Sequence, residues 1–343
     1  MKKIIVSPNE AGQRMDKLLA KYLSAAPKSF FYKMLRKKNI KLNGARAEGN
    51  EKLNIGDEIT LFLSDDTIQK LSGNKEEVQD EFLRLSKEAI PFEVIYEDHD
   101  VLFVNKPSGI LSQKAKPQDV SLNEYIIAYL LKAGSISSDE LKSFKPGICN
   151  RLDRNTSGLV AAGKTLRALQ QLSEMFHDRT MKKYYLTIVS GIVKEEQYIH
   201  GWLKKDDKTN KVTVSPKEKP DMQEIETAYR PLAHDDRLTL LEVHLITGRT
   251  HQIRAHLSSI GHPVIGDYKY GSSKINSYFK KKYRLEYQLL HAWRMEFVSC
   301  NGALKGISGK TISAPVPEIM VKIIKGEYLK WEPGIQEVFE DQH

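Results

Sequence analysis

Cysteine is nearly absent. Cys149 and Cys300 are the only two in 343 residues, too few for a disulfide framework, and no CxxC pair spells out a structural zinc site. Such a chain is expected in a reducing compartment, the cytoplasm. Long hydrophobic runs are missing too, since no segment reaches the ~20 apolar residues that a membrane span requires. Met1 to Pro8 is a short apolar segment behind two lysines, without the length or the small-residue cleavage site of a secretory leader. There is no P-loop and no GxGxxG, which removes the motifs for nucleotide hydrolysis and dinucleotide binding. Internal repeats and low-complexity tracts are lacking as well.

What is present is a basic excess. The 53 Lys+Arg outweigh 44 Asp+Glu for a net charge of +9, a balance that favours a polyanionic partner and also suits plain solubility. The excess is uneven, with 13 Lys+Arg against 6 Asp+Glu in residues 1–63, a net of +7. Residues 64–90 reverse the sign, with 4 Lys+Arg against 7 Asp+Glu and a net of −3, and this polar stretch is the expected linker. A chain of this length predicts two domains, here 1–63 and 91–325, with 326–343 as a C-terminal tail. Nothing in the sequence demands more than a monomer.

In the first domain Met15, Leu18 and Leu19 recur at helical spacing, Phe30, Phe31 and Met34 predict a second helix, and Ile40, Leu42, Ile59 and Leu61 read as short strands. Lys33, Arg36, Lys37, Lys38 and Lys41 crowd around the end of that second helix and the turn beyond it, where phosphates can dock. A solvated lysine face is the plainer use of the same charges. In the second domain strand-like runs such as VIYEDHDVLFVNK, YYLTIVSG and LTLLEVHLI alternate with helical stretches such as TLRALQQLSEMFH, a mixed α+β pattern.

The segment ICNRLDRNTSGLVAAGKT, residues 148–165, reads locally as a polar loop, a buried strand, and Thr165 capping the next helix. Asp153 between Arg151 and Arg154 fits a surface ion-pair cluster. The same arrangement also suits an ionised carboxylate able to attack an electrophilic sugar carbon. In GRTHQIRAHLSSIGHPVIGDYKYG, residues 248–271, Thr250 is the expected cap of a helix whose Ile253, Leu257 and Ile260 share one face. Arg254 is expected off that face, and Gly261 ends the helix. His244, His251, His256 and His262 fall close together, yet His251 and His256 point ~140° apart around a helix, so no metal site is expected. The stretch SSKINSYFKKKYRLEYQ, residues 272–288, offers charge and stacking surface as an RNA-facing insertion or simply a solvated loop.

Two resemblances sharpen this reading. RMDKLLAKYL, KSFFYKMLRKKNIKLNGARAEGNEKL and NIGDEITLF resemble the S-four type RNA-binding domain at Arg14, Asp16, Lys17, Leu18, Arg36, Asn43-Gly44 and Gly56-Asp57. Asn39 stands where that family often has Gly, at an expected left-handed turn. NRLDRNTSG is similar to the HRLDxxTSG signature of the RluA-type pseudouridine synthases. NKPSG at 105–109, KKYYLTIVSG at 182–191 and the 248–271 segment match that family in order. The resemblance implies an α+β fold with a central mixed, mostly antiparallel sheet flanked by helices and loops, beside the small α+β RNA-binding domain.

For the site it implies Asp153 as the catalytic carboxylate, Arg254 as its paired cation and Tyr185 as the active-site aromatic. Lys183, Arg249 and His251 map near the RNA or the site's wall. Arg151 and Arg154 beside the carboxylate are expected to meet RNA, which must extrude its base to react. Asn150 replaces the usual His of the signature and has no role assigned beyond a hydrogen bond to the loop or to RNA. The implied reaction isomerises uridine with no cofactor and no metal, through attack of Asp153 on C1′ or proton removal from the sugar. Tyr185 is expected to pack on the uracil and to help remove the C5 proton. Large-subunit ribosomal RNA is the expected substrate, with transfer RNA second. A non-catalytic ribosome-assembly factor would share the basic module but has no use for Asp153, Tyr185 and Arg254, and a retaining glycosidase needs a second carboxylate about 5 Å away.

Overall fold

The computed structural model describes residues 1–73, 81–138, 140–206 and 208–334. Residues 74–80 of the expected linker and 335–343 of the expected tail lie outside the described residues. The chain divides into two compact units. One comprises Met1–Ile90, Asn123–Gly147 and Gly163–Gln170, the other Pro91–Leu122, Ile148–Ala162 and the chain from Gln171 onward.

The first unit opens with a four-stranded antiparallel sheet, ordered Lys2–Ile5, Glu58–Leu61, Ile40–Leu42, Ala45–Arg46. Helix Met15–Tyr22 buries Met15, Leu18 and Leu19 completely, as their spacing predicts. Helix Lys28–Arg36 buries Phe31 and Leu35 at i, i+4, leaving Phe30 and Met34 at the edge of the same core. Its end differs from expectation, because the left-handed residue is Lys38 (φ 60°), one before Asn39. Lys38 N–H bonds Leu35 O and Asn39 N–H bonds Met34 O, the Schellman pairing that puts positive φ at the residue just past the cap. Asp65–Ser72 form a further helix capped by Ser64, whose hydroxyl accepts from Thr67 N–H.

The second unit is built on a twelve-stranded mixed sheet. Its main order is Lys211–Ser215, Gln197–Asp206, Gln223–His234, Leu238–Leu245, Lys182–Ser190, Leu290–Glu296, Ser157–Gly163, Val101–Lys106, Glu93–Glu97. Antiparallel pairing dominates, while Leu290–Glu296 runs parallel to Ser157–Gly163. The central strands read as near-continuous apolar runs because they are covered on both faces. Leu186, Ile188, Leu240 and Trp293 pack there with Phe279, Met320 and Ile323 from helices Ser273–Tyr283 and Glu318–Gly326. Gly158 (φ 110°) is required at the parallel crossing, where a Cβ would lie 2.2 Å from Ala292 O. Thr165 caps helix Leu166–Asp178 as expected, its Oγ1 accepting from Ala168 N–H. No helix among the described residues is long and apolar enough to cross a membrane.

Candidate active site

A cavity of about 1660 Å³ opens in the second unit, and the loop carrying Asp153 lines it. That loop is held at both ends. Asn150 Oδ1 accepts from Ala161 N–H at 2.8 Å and its Nδ2 donates to Leu159 O at 3.2 Å, so the side chain ties the incoming loop to the strand Ser157–Gly163. Ser112 Oγ donates to Leu152 O and accepts from Leu152 N–H. Lys106, fully buried, gives its three N–H bonds to the carbonyls of Pro107, Ile110 and Arg154 at 2.9–3.0 Å. Burial lowers its ammonium to about 7, against the pull of Asp153. It can make all three bonds only while it is protonated. The turn NKPSG therefore anchors the Asp153 loop, and Gly109 N–H adds a bond to Arg154 O.

Arg254 projects from helix Gln252–Ser259 and joins two carboxylates. Its Nη1 donates to Asp153 Oδ2 at 2.8 Å, while Nε and Nη2 make a bidentate pair with Asp267 at 2.7 and 3.0 Å. Asp267 is fully buried and Asp153 is 28 % exposed to the cavity. Burial opposes the guanidinium charge, but Asp267 and then Asp153 more than restore it and raise Arg254 above its ordinary range. Asp267 is in turn fixed by the N–H groups of Lys269 and Tyr270, and its backbone carbonyl by Asn276 Nδ2.

The helix itself departs from expectation in two respects. His251, not Thr250, is the cap residue, in a left-handed conformation (φ 52°) and with no side-chain cap. Gln252 performs the tie instead, accepting from Arg249 N–H and from the Thr247 hydroxyl and donating to Glu226 O. The expected face is also incomplete. Gln252 through Leu257 are all buried, whereas Ile260 lies beyond the helix end and is exposed. A helix buried from Gln252 through Leu257 has no polar face there, which is why Arg254 is buried with Asp267. Gly261 ends it as expected, with His262 N–H bonding Leu257 O.

Tyr185, Lys183, Arg151, Arg154, Arg249 and His251 all line the same cavity. Tyr185 is buried, and burial followed by the Asp153 charge pushes its phenol up. Lys183 is lowered to about 8 by burial and then by Arg179. Sequence reasoning missed Asp267, Lys106, Arg179, Lys205, Lys211 and Lys269 as members of the site. Asp267, Lys106 and Lys269 sat inside quoted motifs, whereas the other three are scattered single cations that only the fold collects. Lys33, Arg36, Lys37 and Lys38 are exposed in the first unit, and Lys41 is half-buried with its ammonium over the Phe62 ring.

The stretch 272–288 is not simply a solvated loop. Ser273–Tyr283 is a helix whose Phe279 enters the core and whose Asn276 supports Asp267 and Gly266. Lys282 is committed to the buried carboxylate of Glu327. Among the clustered histidines, His256 meets Thr227, His262 meets Ser190 O, and His244 stacks on Tyr184.

The family described as RNA pseudouridylate synthase matches residues 100–259. Ribosomal large subunit pseudouridine synthase C of Vibrio cholerae is 31% identical over 86% of this chain and 88% of its own. The chain belongs to the RluA-type RNA pseudouridine synthases. The synthase also shares 30% identity with the Vibrio parahaemolyticus protein of the same name, over 94% of this chain and 95% of that one. With Ribosomal large subunit pseudouridine synthase D of Nitrosomonas europaea it shares 29%, over 94% and 86%. Two solved human proteins, RNA Pseudouridylate Synthase Domain Containing 1 and 4, have the same fold. They reach TM-scores of 0.54 and 0.55 at 18% and 20% identity, covering 74% and 75% of this chain and 96% and 98% of theirs.

Proposed function

We propose that this synthase isomerises specific uridines of large-subunit ribosomal RNA, as a monomer in the cytoplasm, with Asp153 acting on the ribose and no cofactor. The carrying observation is one partly exposed carboxylate, bonded by a doubly paired arginine, on the wall of a cavity rich in cations. In the reaction the bond from C1′ to N1 breaks, the uracil turns, and a bond from C1′ to C5 forms. N1 gains a proton and C5 loses one, so no redox partner is needed. Asp153 attacks C1′ or first takes a sugar proton, Arg254 orients it, and Tyr185 packs against the ring. The Tyr185 phenol stays protonated, so it passes on the C5 proton only by giving up its own as it accepts.

Arg151, Arg154, Lys183 and Arg249 would hold the extruded nucleotide and its phosphates. Residues 1–63 would serve as an S-four type RNA-binding domain, presenting Lys33, Arg36, Lys37, Lys38 and Lys41 to the backbone. Support for the substrate comes from relatives named for the large ribosomal subunit, one matching over 94% of the chain, a span that takes in most of residues 1–63. The test maps pseudouridines in ribosomal and transfer RNA from cells carrying the gene, lacking it, or carrying Asp153→Asn. Large-subunit positions should lose the modification in both altered strains. Losses confined to transfer RNA would overturn the substrate, and full modification with Asp153→Asn would overturn the role of the carboxylate.

A further inference from the structure

His251 occupies a strained place that the helix does not use. It is the cap residue with a left-handed backbone, and its side chain bonds no helical N–H. The imidazole instead lies between Tyr270 and Asp153. Val212 N–H donates to the Tyr270 hydroxyl oxygen at 2.9 Å, and that hydroxyl is 2.9 Å from His251 Nδ1. A phenol has one proton to give, and among the described residues no other acceptor for it lies within hydrogen-bond reach. Where that proton points at Nδ1, the neutral ring carries its own hydrogen on Nε2.

Nε2 faces Asp153 Oδ2 at 3.9 Å, the oxygen that Arg254 Nη1 already holds. At that length the contact is electrostatic rather than a hydrogen bond, and such contacts tighten when substrate orders a site. Asp153 and Asp267 supply negative charge around the ring, and Arg254 and Lys269 supply positive. Burial first, then the two cations, lowers the imidazole below its usual value despite Asp153, which favours the neutral form.

We propose that His251 is a positioning residue for the isomerisation. Tyr270 locks it in the Nε2–H tautomer, so that His251 and Arg254 both hold Oδ2 of Asp153 and Oδ1 is the oxygen that meets the ribose. Among the described residues no hydrogen bond reaches Oδ1. The Tyr270 hydroxyl also bonds the hairpin strand Lys211–Ser215, from which Lys211 lines the cavity, so RNA seated on that hairpin would bear directly on the tautomer. The inference rests on the reading of Asp153 as the reacting carboxylate.

The test combines nitrogen NMR of ¹⁵N-histidine-labelled full-length protein with turnover on a ribosomal RNA fragment, for wild type, His251→Asn, His251→Gln, Tyr270→Phe and Asp153→Asn. The His251 resonances, assigned by their loss in His251→Asn, should report the Nε2–H tautomer in wild type and a mixture in Tyr270→Phe. His251→Asn tolerates the left-handed backbone but cannot reach Asp153, so kcat should fall about tenfold or more with KM within about twofold. His251→Gln, whose amide nitrogen replaces Nε2, should regain most of that loss. An Nδ1–H tautomer in wild type, or wild-type kcat in His251→Asn beside an inactive Asp153→Asn, overturns this inference alone. Turnover by Asp153→Asn overturns the underlying reading as well. If His251→Asn does not fold, the tautomer in wild type and its change in Tyr270→Phe still decide the question.

Discussion

Arg254 divides one guanidinium between two carboxylates, and the two halves have different uses. The half facing Asp267 is buried structure, and the half facing Asp153 is oriented toward the cavity. Arg254→Lys keeps a charge but loses the fixed fork. Turnover should drop by about 100-fold or more, measured as pseudouridine formed per enzyme under saturating RNA. Arg254→Met additionally strands Asp267, and urea unfolding should show a loss of about 3–5 kcal/mol. Tyr185→Phe removes the one proton the ring can pass on, and kcat should fall about 100-fold or more while RNA affinity holds. Lys183 makes a pH prediction. Its ammonium is lowered to about 8, so it is charged below that pH and neutral above it. RNA affinity should therefore weaken as pH rises from 7 to 9, and Lys183→Met should flatten that part of the profile, as read by filter binding.

At the level of elements the Asp153 loop is a short irregular segment made rigid by side chains. Asn150 replaces two bonds that a regular strand pair would make through its backbone, which accounts locally for an amide at this position. Asn150→Ala should cost about 1–3 kcal/mol, seen as a lower urea midpoint. Gly158→Ala tests the parallel crossing. With Ala292 O 2.2 Å from the new Cβ and φ at 110°, the strand cannot pair in register, and the loss should exceed about 4 kcal/mol in the same assay. The strands named from the sequence and the two helices expected in the first domain were legible because period and burial agree, as at Met15, Leu18 and Leu19. The errors fell where tertiary context replaced the local rule. Thr250 yielded the cap to His251 because Gln252 satisfies the loop, and Asn39 yielded the turn to Lys38 because the helix ends one residue earlier. The basic stretch 272–288 misled because its lysines are conspicuous while Ile275, Asn276 and Phe279, which face inward, are few.

On the scale of the whole molecule, basic charge is arranged in two places, the exposed cluster of the first unit and the cavity wall of the second. If both meet phosphate, binding should fall steeply with salt. Lys37→Glu with Lys38→Glu should make the slope of log affinity against log salt shallower by about 1–2, leaving kcat at saturating RNA unchanged. Four ordered motifs, NKPSG, NRLDRNTSG, KKYYLTIVSG and GRTHQIRAH, determined from sequence alone the family, the α+β class, and Asp153, Tyr185 and Arg254 as the group to examine. Their residue types and order survive in one dimension because each motif is one local stretch of turn, strand or helix. What only the tertiary structure decided is how the carboxylate is held, by Asp267 through Arg254 and by Lys106 through the carbonyls around its loop. Those contacts join residues from distant segments, and no local pattern records a distance across the fold.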